Sequence, residues 1–363
     1  MKVTVGQKNL KRALNLIEPV VGKTAALPIL ANIVLRTENG RLKVAATNLE
    51  IGITCFIGAK IDETGETAVP GRIFSDVIQN IGEEAVTLST KNNALHITSK
   101  TYKTTILGTD TKEYPIIPKV PGEPLFTMGA PLVRDIFSSV VDAIATSESR
   151  PELGGLFLAV GAGAVTCAAT DSFRLAERTT KGKVHGSAKA IIPRATVMEV
   201  LRLTGDDTLD VSVTIGDNQI AFLSQDCHIV SRLIDGNYPD YKKVIPEQWV
   251  ARALINRGEL ERNVRLAGLF SSSISDVTIS CDEGVFSVTA KNSDKGEVRA
   301  TTEATLKNEA FSLTLNFHYL LDGLKAISTE KAIVEFTGEG SPLIVRPADD
   351  KKEFTYLIMP LRR

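Results

Sequence analysis

The sequence predicts an α+β protein built from three tandem copies of one domain, each with two helices packed on antiparallel sheets. Three observations support this: the chain length, a helix start that occurs three times, and a hairpin that occurs three times. With 363 residues, 43% of them hydrophobic, the chain is too long for one ordinary core and suggests two or three domains.

The helix start is led by proline in two of its three copies. Val69-Pro70-Gly71-Arg72 opens a run with apolar residues at helical spacing, and the pattern recurs at Ile192-Pro193-Arg194 and at Leu315-Asn316-Phe317. Ile192 lies 123 residues after Val69, and Leu315 lies 123 residues after Ile192. Equal spacing of this kind indicates an internal repeat.

The hairpin begins with a strand at 33–36, turns at Asn39-Gly40 and returns through 42–48. Its counterparts are predicted at 156–171 and 277–292. The returning strand ends in Ala-Thr-Asn or Ala-Thr-Asp in the first two copies, and the third copy, Ala-Lys-Asn, is weaker. We therefore expect domains at 1–120, 121–247 and 248–363.

Each domain also divides into two halves, because an amphipathic helix followed by a hairpin occurs before and after the proline-led start. In the first domain the earlier helix is predicted at about 8–21 and the later one at about 72–81. One helix for each set of strands, on one face of an antiparallel sheet, gives a layered α+β arrangement. Three domains would then hold about six helices.

The overall composition favours an intracellular protein whose net charge gives it no attraction to nucleic acid or to membranes. The 42 Lys and Arg residues balance 43 Asp and Glu residues, so a site for a polyanion must come from local segregation of charge. The first residues lack the apolar run of a secretory signal, so we expect a cytoplasmic location. The four cysteines are far apart without a C-x-x-C motif, and we expect buried free thiols.

The sequence contains no convincing catalytic constellation. The four histidines are scattered without metal-ligand spacing, and no G-x-S-x-G elbow is present. Gly22-Lys23-Thr24 matches only the end of a phosphate-binding loop, because Ile17 stands where that motif needs glycine. We expect a protein that is not an enzyme and that uses no cofactor and no metal.

Several motifs resemble one family across the whole chain. The most specific are Leu27-Pro28-Ile29-Leu30, the segment from Thr170 to Leu175, the segment from Leu233 to Tyr241, and Tyr356 to Arg362. Together with the threefold repeat, they resemble the bacterial sliding clamp, the β subunit of DNA polymerase III. The resemblance implies a ring-forming DNA clamp fold, in which two head-to-tail copies of three domains enclose a hole lined by helices.

The resemblance also implies a function without catalysis. A closed ring holds duplex DNA by topology, so weak contacts that ignore the base sequence are sufficient, and sliding remains free. The implied role is that of a DNA polymerase processivity factor. The implied partners are duplex DNA, the catalytic subunit of DNA polymerase III, the clamp loader, and other polymerases and repair proteins that dock through short peptide motifs.

The resemblance assigns three sets of residues in this sequence. The implied peptide-binding pocket comprises Leu153, Thr170, Ser172, Phe173, Arg174, Leu175, Pro239, Lys243, Val244, Leu357, Ile358, Met359, Pro360, Leu361 and Arg362. The implied DNA-binding residues are Lys8, Lys11, Arg12, Lys23, Arg72, Arg194 and Arg202. The implied dimer interface comprises Ile106 and Leu107 of one subunit and Leu269 and Phe270 of the other.

The residues themselves leave alternatives open. The basic helices could be ordinary solvated faces, and 356–361 could be simply a last core strand, although Pro360 favours a pocket because proline cannot continue a central ladder. Ser172-Phe173 departs from the Gly-His common in the family, which we interpret as an enlarged apolar rim. A divergent clamp homologue with a duplicate or drug-resistance role, and a scaffold that does not bind DNA, remain alternative functions.

Overall fold

The computed structural model describes residues 1–22, 27–82, 84–147, 149–349 and 353–361. Within these ranges it contains six α-helices and 24 β-strands, and every strand pair is antiparallel. None of the helices in the described ranges is long and apolar enough to cross a membrane. Lys23 and Arg362, two of the predicted site residues, lie outside the described residues.

Four of the six helices begin close to their predicted positions, and no start was predicted for the helices that begin at 130 and 257. The six helices are α1 (Gln7–Ile17), α2 (Gly71–Asn80), α3 (Ala130–Val141), α4 (Arg194–Leu203), α5 (Arg257–Gly268) and α6 (Phe317–Lys325). Both proline-led starts are confirmed, since Pro70 and Pro193 directly precede α2 and α4. Asn316 begins α6 differently, because its side chain accepts a hydrogen bond of 2.9 Å from the His318 N–H.

The strands, in chain order, are as follows. They are β1 (Lys2–Gly6), β2 (Asn32–Glu38), β3 (Arg41–Thr47), β4 (Ile51–Glu63), β5 (Glu66–Pro70), β6 (Ala85–Lys91), β7 (Ala94–Thr98), β8 (Lys103–Leu107), β9 (Phe126–Gly129), β10 (Gly155–Gly161), β11 (Ala164–Thr170), β12 (Arg174–Lys181), β13 (Ala188–Pro193), β14 (Asp210–Ile215), β15 (Gln219–Leu223), β16 (Cys227–Arg232), β17 (Ala251–Asn256), β18 (Asp276–Asp282), β19 (Val285–Asn292), β20 (Gly296–Asn308), β21 (Phe311–Asn316), β22 (Lys331–Phe336), β23 (Leu343–Pro347) and β24 (Phe354–Ile358).

The chain folds into two compact units. The first contains Met1–Val133 and Ala195–Leu233, and the second contains Arg134–Arg194 and Ile234–Arg363. Each unit has one 12-stranded sheet. The first runs β8-β7-β6-β1-β4-β16-β15-β14-β9 with β3, β2 and β5 continuing from β4, and the second runs β13-β10-β11-β12-β24-β23-β22-β17-β20-β19-β18-β21.

The three predicted hairpins are confirmed as β2–β3, β10–β11 and β18–β19. Their turns use residues with positive φ, which suits the right-handed twist of paired strands. Asn39 and Gly40 have φ of 50° and 74°, and Glu283 and Gly284 have φ of 46° and 81°. The turn residues therefore placed the hairpins correctly from the sequence.

The expectation of four free thiols is wrong for two cysteines. Cys55 on β4 lies directly opposite Cys227 on β16, with the Cα atoms 4.2 Å apart, and the two form a disulfide. Because the two cysteines are 172 residues apart along the chain, the sequence contains no local signal of this pairing. Cys167 and Cys281 are free and buried, and burial raises the pKa of both thiols.

Candidate functional site

The last strand, β24, ends beside the turn that follows β11. Leu357 faces Leu175 and Ile358 faces Arg174 in the β12–β24 ladder. The chain then leaves the ladder at Met359, whose N–H donates a 2.8 Å hydrogen bond to the carbonyl of Phe173, and the Leu361 N–H donates to Thr314. The segment is thus a core strand up to 358 and a half-exposed tail from 359 to 361.

The turn at 170–174 is held by two side chains. The Asp171 carboxylate accepts hydrogen bonds from the N–H groups of Phe173 (2.9 Å) and Arg174 (3.0 Å). The Thr170 hydroxyl donates to the Arg174 carbonyl at 2.6 Å and accepts from the Ser172 N–H at 3.2 Å. Together these bonds fix a short connection between β11 and β12 and present Phe173, which is 59% exposed, to solvent.

Ser172 adopts a backbone conformation that favours glycine, with φ of 77°. This gives a physical reason for the glycine that is common at the position in the resembled family. A serine is held there by the hydrogen bond from its N–H to Thr170, at the cost of the left-handed conformation.

Arg174 anchors the turn to α6 and β24. Its side chain is only 12% exposed, and Nε donates to Asp171 at 2.9 Å. One terminal nitrogen donates to the Asp322 carboxylate and, at 3.4 Å, to the Tyr356 hydroxyl, while the guanidinium lies 4.4 Å from the centre of the Tyr319 ring. Most of the N–H donors of Arg174 are therefore already used within the protein. Its main role is to position the turn, and few donors are left for a bound peptide.

An aromatic cluster underlies the same surface. Tyr241 is buried with Leu175 and Leu357, and Phe157 and Tyr238 pack against them. The Phe157 and Tyr238 rings stack with centres 4.9 Å apart. Tyr238 accepts a hydrogen bond from the Thr170 N–H at 3.1 Å, and the Tyr241 hydroxyl donates to Glu177 at 2.5 Å. Burial raises the pKa of both tyrosines, so both hydroxyls stay protonated at neutral pH.

The cluster includes three aromatic residues that the site prediction missed. Tyr238 and Tyr241 belong to the Tyr-Pro-Asp-Tyr motif and were available as a signal, whereas Phe157 sits in an ordinary strand and was not. Met359 packs on the cluster and is only partly buried, which leaves a polarizable edge beside the aromatic rings.

The structure assigns the remaining predicted pocket residues to different depths. Leu153, Leu175, Leu357 and Ile358 are at most 2% exposed, so they form floor rather than contact surface. Val244 is 54% exposed. Lys243 is exposed and pairs with Asp240 at 3.1 Å. Pro239, Pro360 and Leu361 are half-buried. An apolar, half-exposed surface with a rigid floor can receive apolar side chains of a partner segment.

Three family models match consecutive parts of the chain. They describe the DNA polymerase III beta subunit: its N-terminal domain at residues 1–118, its central domain at 129–240 and its C-terminal domain at 242–362. The chain belongs to the DNA polymerase III beta subunit family.

Individual relatives in this family span the same length. The beta sliding clamp of Staphylococcus epidermidis is 28% identical and that of Staphylococcus aureus 27% identical, each over 100% of this chain and 99% of the relative. Among solved structures, the DNA polymerase sliding clamp from Bacillus subtilis is similar with a TM-score of 0.95 and 25% identity, covering 100% of this chain and 99% of the other. The DNA polymerase III beta subunit from Thermotoga maritima gives 0.93 and 26% with the same coverage. The fold is thus the three-domain α+β clamp fold.

Six of the seven candidate DNA-binding residues lie on the three helices α1, α2 and α4, and Lys23 lies outside the described residues. Lys8 and Arg72 are exposed on α1 and α2, and Lys11 is half-exposed. Within the described part of the chain, no carboxylate lies within 4.0 Å of these three. They are therefore free to meet phosphates.

Two of the other described cations are ion-paired, and the third is half-buried. Arg12 pairs with Asp206 at 2.9 Å, and hydrogen bonds from Thr208, together with Arg12, hold the pKa of Asp206 below its usual range. Arg202 pairs with Glu199 at 2.6 Å. Arg194 is half-buried at the start of α4, and its Nε has no hydrogen-bond partner among the described residues.

The candidate dimer residues differ in exposure. β8 ends the path of the first sheet, which confirms that Ile106 and Leu107 lie on an edge strand. Ile106 is 5% exposed and packs into its own unit, while Leu107 is 79% exposed. Leu269, which caps the C-terminus of α5, is 65% exposed, and Phe270 is half-buried. Of the four candidates, Leu107 and Leu269 are the two whose apolar side chains are mostly exposed.

Proposed function

We propose that two copies of this chain close into a ring around duplex DNA and serve as the processivity factor of a DNA polymerase. The proposal rests on the match of three consecutive beta-subunit domains to residues 1–118, 129–240 and 242–362. As a member of this family the chain is an accessory subunit without catalysis of its own. Encirclement retains DNA without tight binding, so the polymerase tethered to the ring keeps its primer end.

The DNA contacts are proposed for Lys8, Lys11 and Arg72 first, because their charges are free of nearby described carboxylates. Arg12, Arg202 and Arg194 are secondary, since two are ion-paired and one is half-buried. Lys23 stays in the proposal on its sequence alone. Each cation that meets a phosphate should steepen the salt dependence of DNA binding by about one counterion.

The surface around 170–175 and 357–361 is proposed as the docking site for short peptide motifs. The aromatic floor, Met359 and the exposed Phe173 and Val244 support this, because they can pack on varied apolar side chains. The partners proposed for it are the DNA polymerase III catalytic subunit, the clamp loader, and other polymerases and repair proteins. Peptide preference is tested with Phe173→His: we expect altered relative affinities across a panel of clamp-binding peptides, and unchanged affinities would remove Phe173 from the rim.

The subunit seam is proposed between the β8 edge of one copy and the 269–270 region of the other. An unpaired apolar edge strand needs cover, and a partner supplies it. Because Ile106 is buried in its own unit, the sharper variants are Leu107→Ser and Leu269→Ser. We expect each to weaken dimerisation in sedimentation with the circular dichroism unchanged. A double variant that stayed dimeric would remove this assignment.

The domain limits near 120 and 247 and a cytoplasmic location remain parts of the proposal. The ends of the matched segments, at 118 and 240, lie close to those limits. The function is tested by primer extension on a long singly primed template with a family polymerase and clamp loader. We expect product length per binding event to rise at least tenfold when this chain is added, and an unchanged length would contradict the proposal.

A further inference from the structure

A cavity of about 470 Å³ lies entirely within the first unit. It is bounded by the β2–β3 hairpin, β4, residues 111–120 and the β15–β16 hairpin. Its apolar lining includes Phe56, Tyr114, Ile116, Ile117 and Val230. This volume falls within the range of about 300–1,000 Å³ typical of ligand pockets.

The charged side chains that line this cavity are mostly positive. They are Arg36, Arg41, Lys43 and Lys119 against Glu38 alone. Three of the cations have partners: Arg36 pairs with Glu66 at 2.5 Å, Arg41 with Asp226 at 3.2 Å, and Lys43 with Glu38 at 3.1 Å. All six side chains are at least 26% exposed, so these pairs contribute little and can exchange for a ligand carboxylate.

Lys119 is the cation with no carboxylate within 4.0 Å in the part of the chain that the structure describes. It is exposed and lies in the segment that borders the cavity. The same positive charges act on His228, which lines the cavity. Burial, followed by the charges of Arg41, Lys119 and Lys43, lowers the pKa of His228, so this side chain is neutral at pH 7. The Phe56 ring contacts both His228 (centres 5.4 Å apart) and the Arg41 guanidinium (4.9 Å).

The rim also carries an apolar side chain with no cover in its own unit. Ile116 is 91% exposed, although its neighbour Ile117 packs inward on Gly52, where a Cβ would lie 2.6 Å from Cγ2 of Ile117. The apolar floor and the exposed Ile116 favour an apolar group on the ligand. The surplus of positive charge favours a ligand that is also negatively charged. A phosphate backbone would use the cations but not the floor.

We propose that this cavity, distinct from the surface around 170–175, binds a short acidic segment of a partner protein. One apolar side chain of the segment inserts against Phe56 and Val230, and flanking carboxylates pair with Lys119 and Arg41. The proposal depends on charge complementarity and on the apolar floor, and it does not require the DNA-binding or ring-closing function.

The test uses the full chain and a fluorescein-labelled peptide, Glu-Asp-Leu-Phe-Glu-Asp, with a second version that carries benzoylphenylalanine in place of Phe. We expect cross-links to residues 111–120. By fluorescence anisotropy, Lys119→Glu should weaken binding at least tenfold and Ile116→Ser several-fold. Both side chains are exposed, so both variants should fold. Lys183→Glu, an exposed change of equal charge elsewhere, should stay within twofold.

Several results would overturn the proposal. Cross-links confined to 238–245, or a loss caused by Lys243→Glu and not by Lys119→Glu, would assign the peptide to the other surface. Equal affinity for a Gln/Asn version of the peptide would remove the charge argument. Equal affinity for a version with Ser in place of Leu and Phe would show that the apolar floor does not contribute to binding. Displacement of the peptide by a short oligonucleotide at equal concentration would show that the cavity binds anions in general and not an acidic peptide in particular.

Discussion

The ends of β3 and β11 form the same turn in two different settings. Asn48 accepts hydrogen bonds from the N–H groups two and three residues later, as Asp171 does. Thr47 and Thr170 each donate to the carbonyl four residues on. Leu49 and Ser172 share positive φ, 76° and 77°. The repeated Thr-Asn/Asp signature therefore specifies a turn and no particular function.

The settings differ in what each turn is attached to. After Asp171, Arg174 ties the turn to Asp322 and Tyr356 in the second unit. In the first unit Ile51 occupies the matching position, and Gly52 admits Ile117 where Leu175 meets the Tyr241 cluster. One turn thus borders a rigid aromatic surface, and the other borders an open, positively charged cavity. Side chains outside the repeated motif set this difference.

The largest difference in stability between the two regions is expected from the strand pair beside each turn. β4 and β16 are joined by the Cys55–Cys227 disulfide, whereas at the matching place Arg178 faces Phe354 on β24. Reduction should lower the free energy of unfolding by about 2–5 kcal/mol, because it releases a long closed loop. Urea unfolding with and without reductant measures this. The Cys55→Ala/Cys227→Ala variant should lose the response, and Cys167→Ala should keep it. An equal response in the double variant would contradict the link.

Replacing one arginine in each region should give the next largest difference in stability. Arg174→Ala leaves Asp171 and Asp322 without their partner and should cost about 2 kcal/mol, less than a fully buried pair because Asp322 is 32% exposed. Arg41→Ala, which breaks an exposed pair, should cost less than about 1 kcal/mol. Urea unfolding compares the two. Equal costs would mean that Arg174 does not anchor its turn.

The tyrosine hydrogen bonds are shared by both regions but differ in number. Tyr114 and Tyr238 each accept from a threonine N–H at 3.1 Å, and Tyr114 also donates to the Asn32 carbonyl at 3.1 Å. Tyr238→Phe should cost about 1 kcal/mol in unfolding experiments, since it leaves that N–H without its acceptor, and Tyr114→Phe should cost slightly more because it removes both bonds. Tyr102→Phe, at an exposed position, provides the control. A tyrosine variant as stable as this control would show that its hydroxyl does not hold the turn.

The smallest effect should come from the strained backbone. Leu49→Gly and Ser172→Gly should each stabilise the chain by about 0.5 kcal/mol, because relief of the left-handed conformation slightly exceeds the added freedom of glycine when unfolded. Thermal unfolding gives the sign. Destabilisation by both would mean that neither backbone is strained.

The sequence predicted local features well and distant contacts poorly. Proline-led starts and glycine-containing turns placed α2, α4 and the hairpins, since their signals lie within a few residues. The Cys55–Cys227 bond joins residues 172 apart, and the Arg174–Asp322 pair joins residues 148 apart. Neither has a local signature. The pocket residues came from a family resemblance, which named Arg174 and Phe173 but not the aromatic rings beneath them.

Encirclement is the means by which we propose that this chain holds DNA. The most direct measurement loads the protein on a nicked circular plasmid, separates the complex at high salt, and then cuts the plasmid once. We predict retention on the circle and release within minutes of linearisation, because a ring slides off a free end. Retention that is the same before and after the cut, or no retention on the circle, would contradict this account.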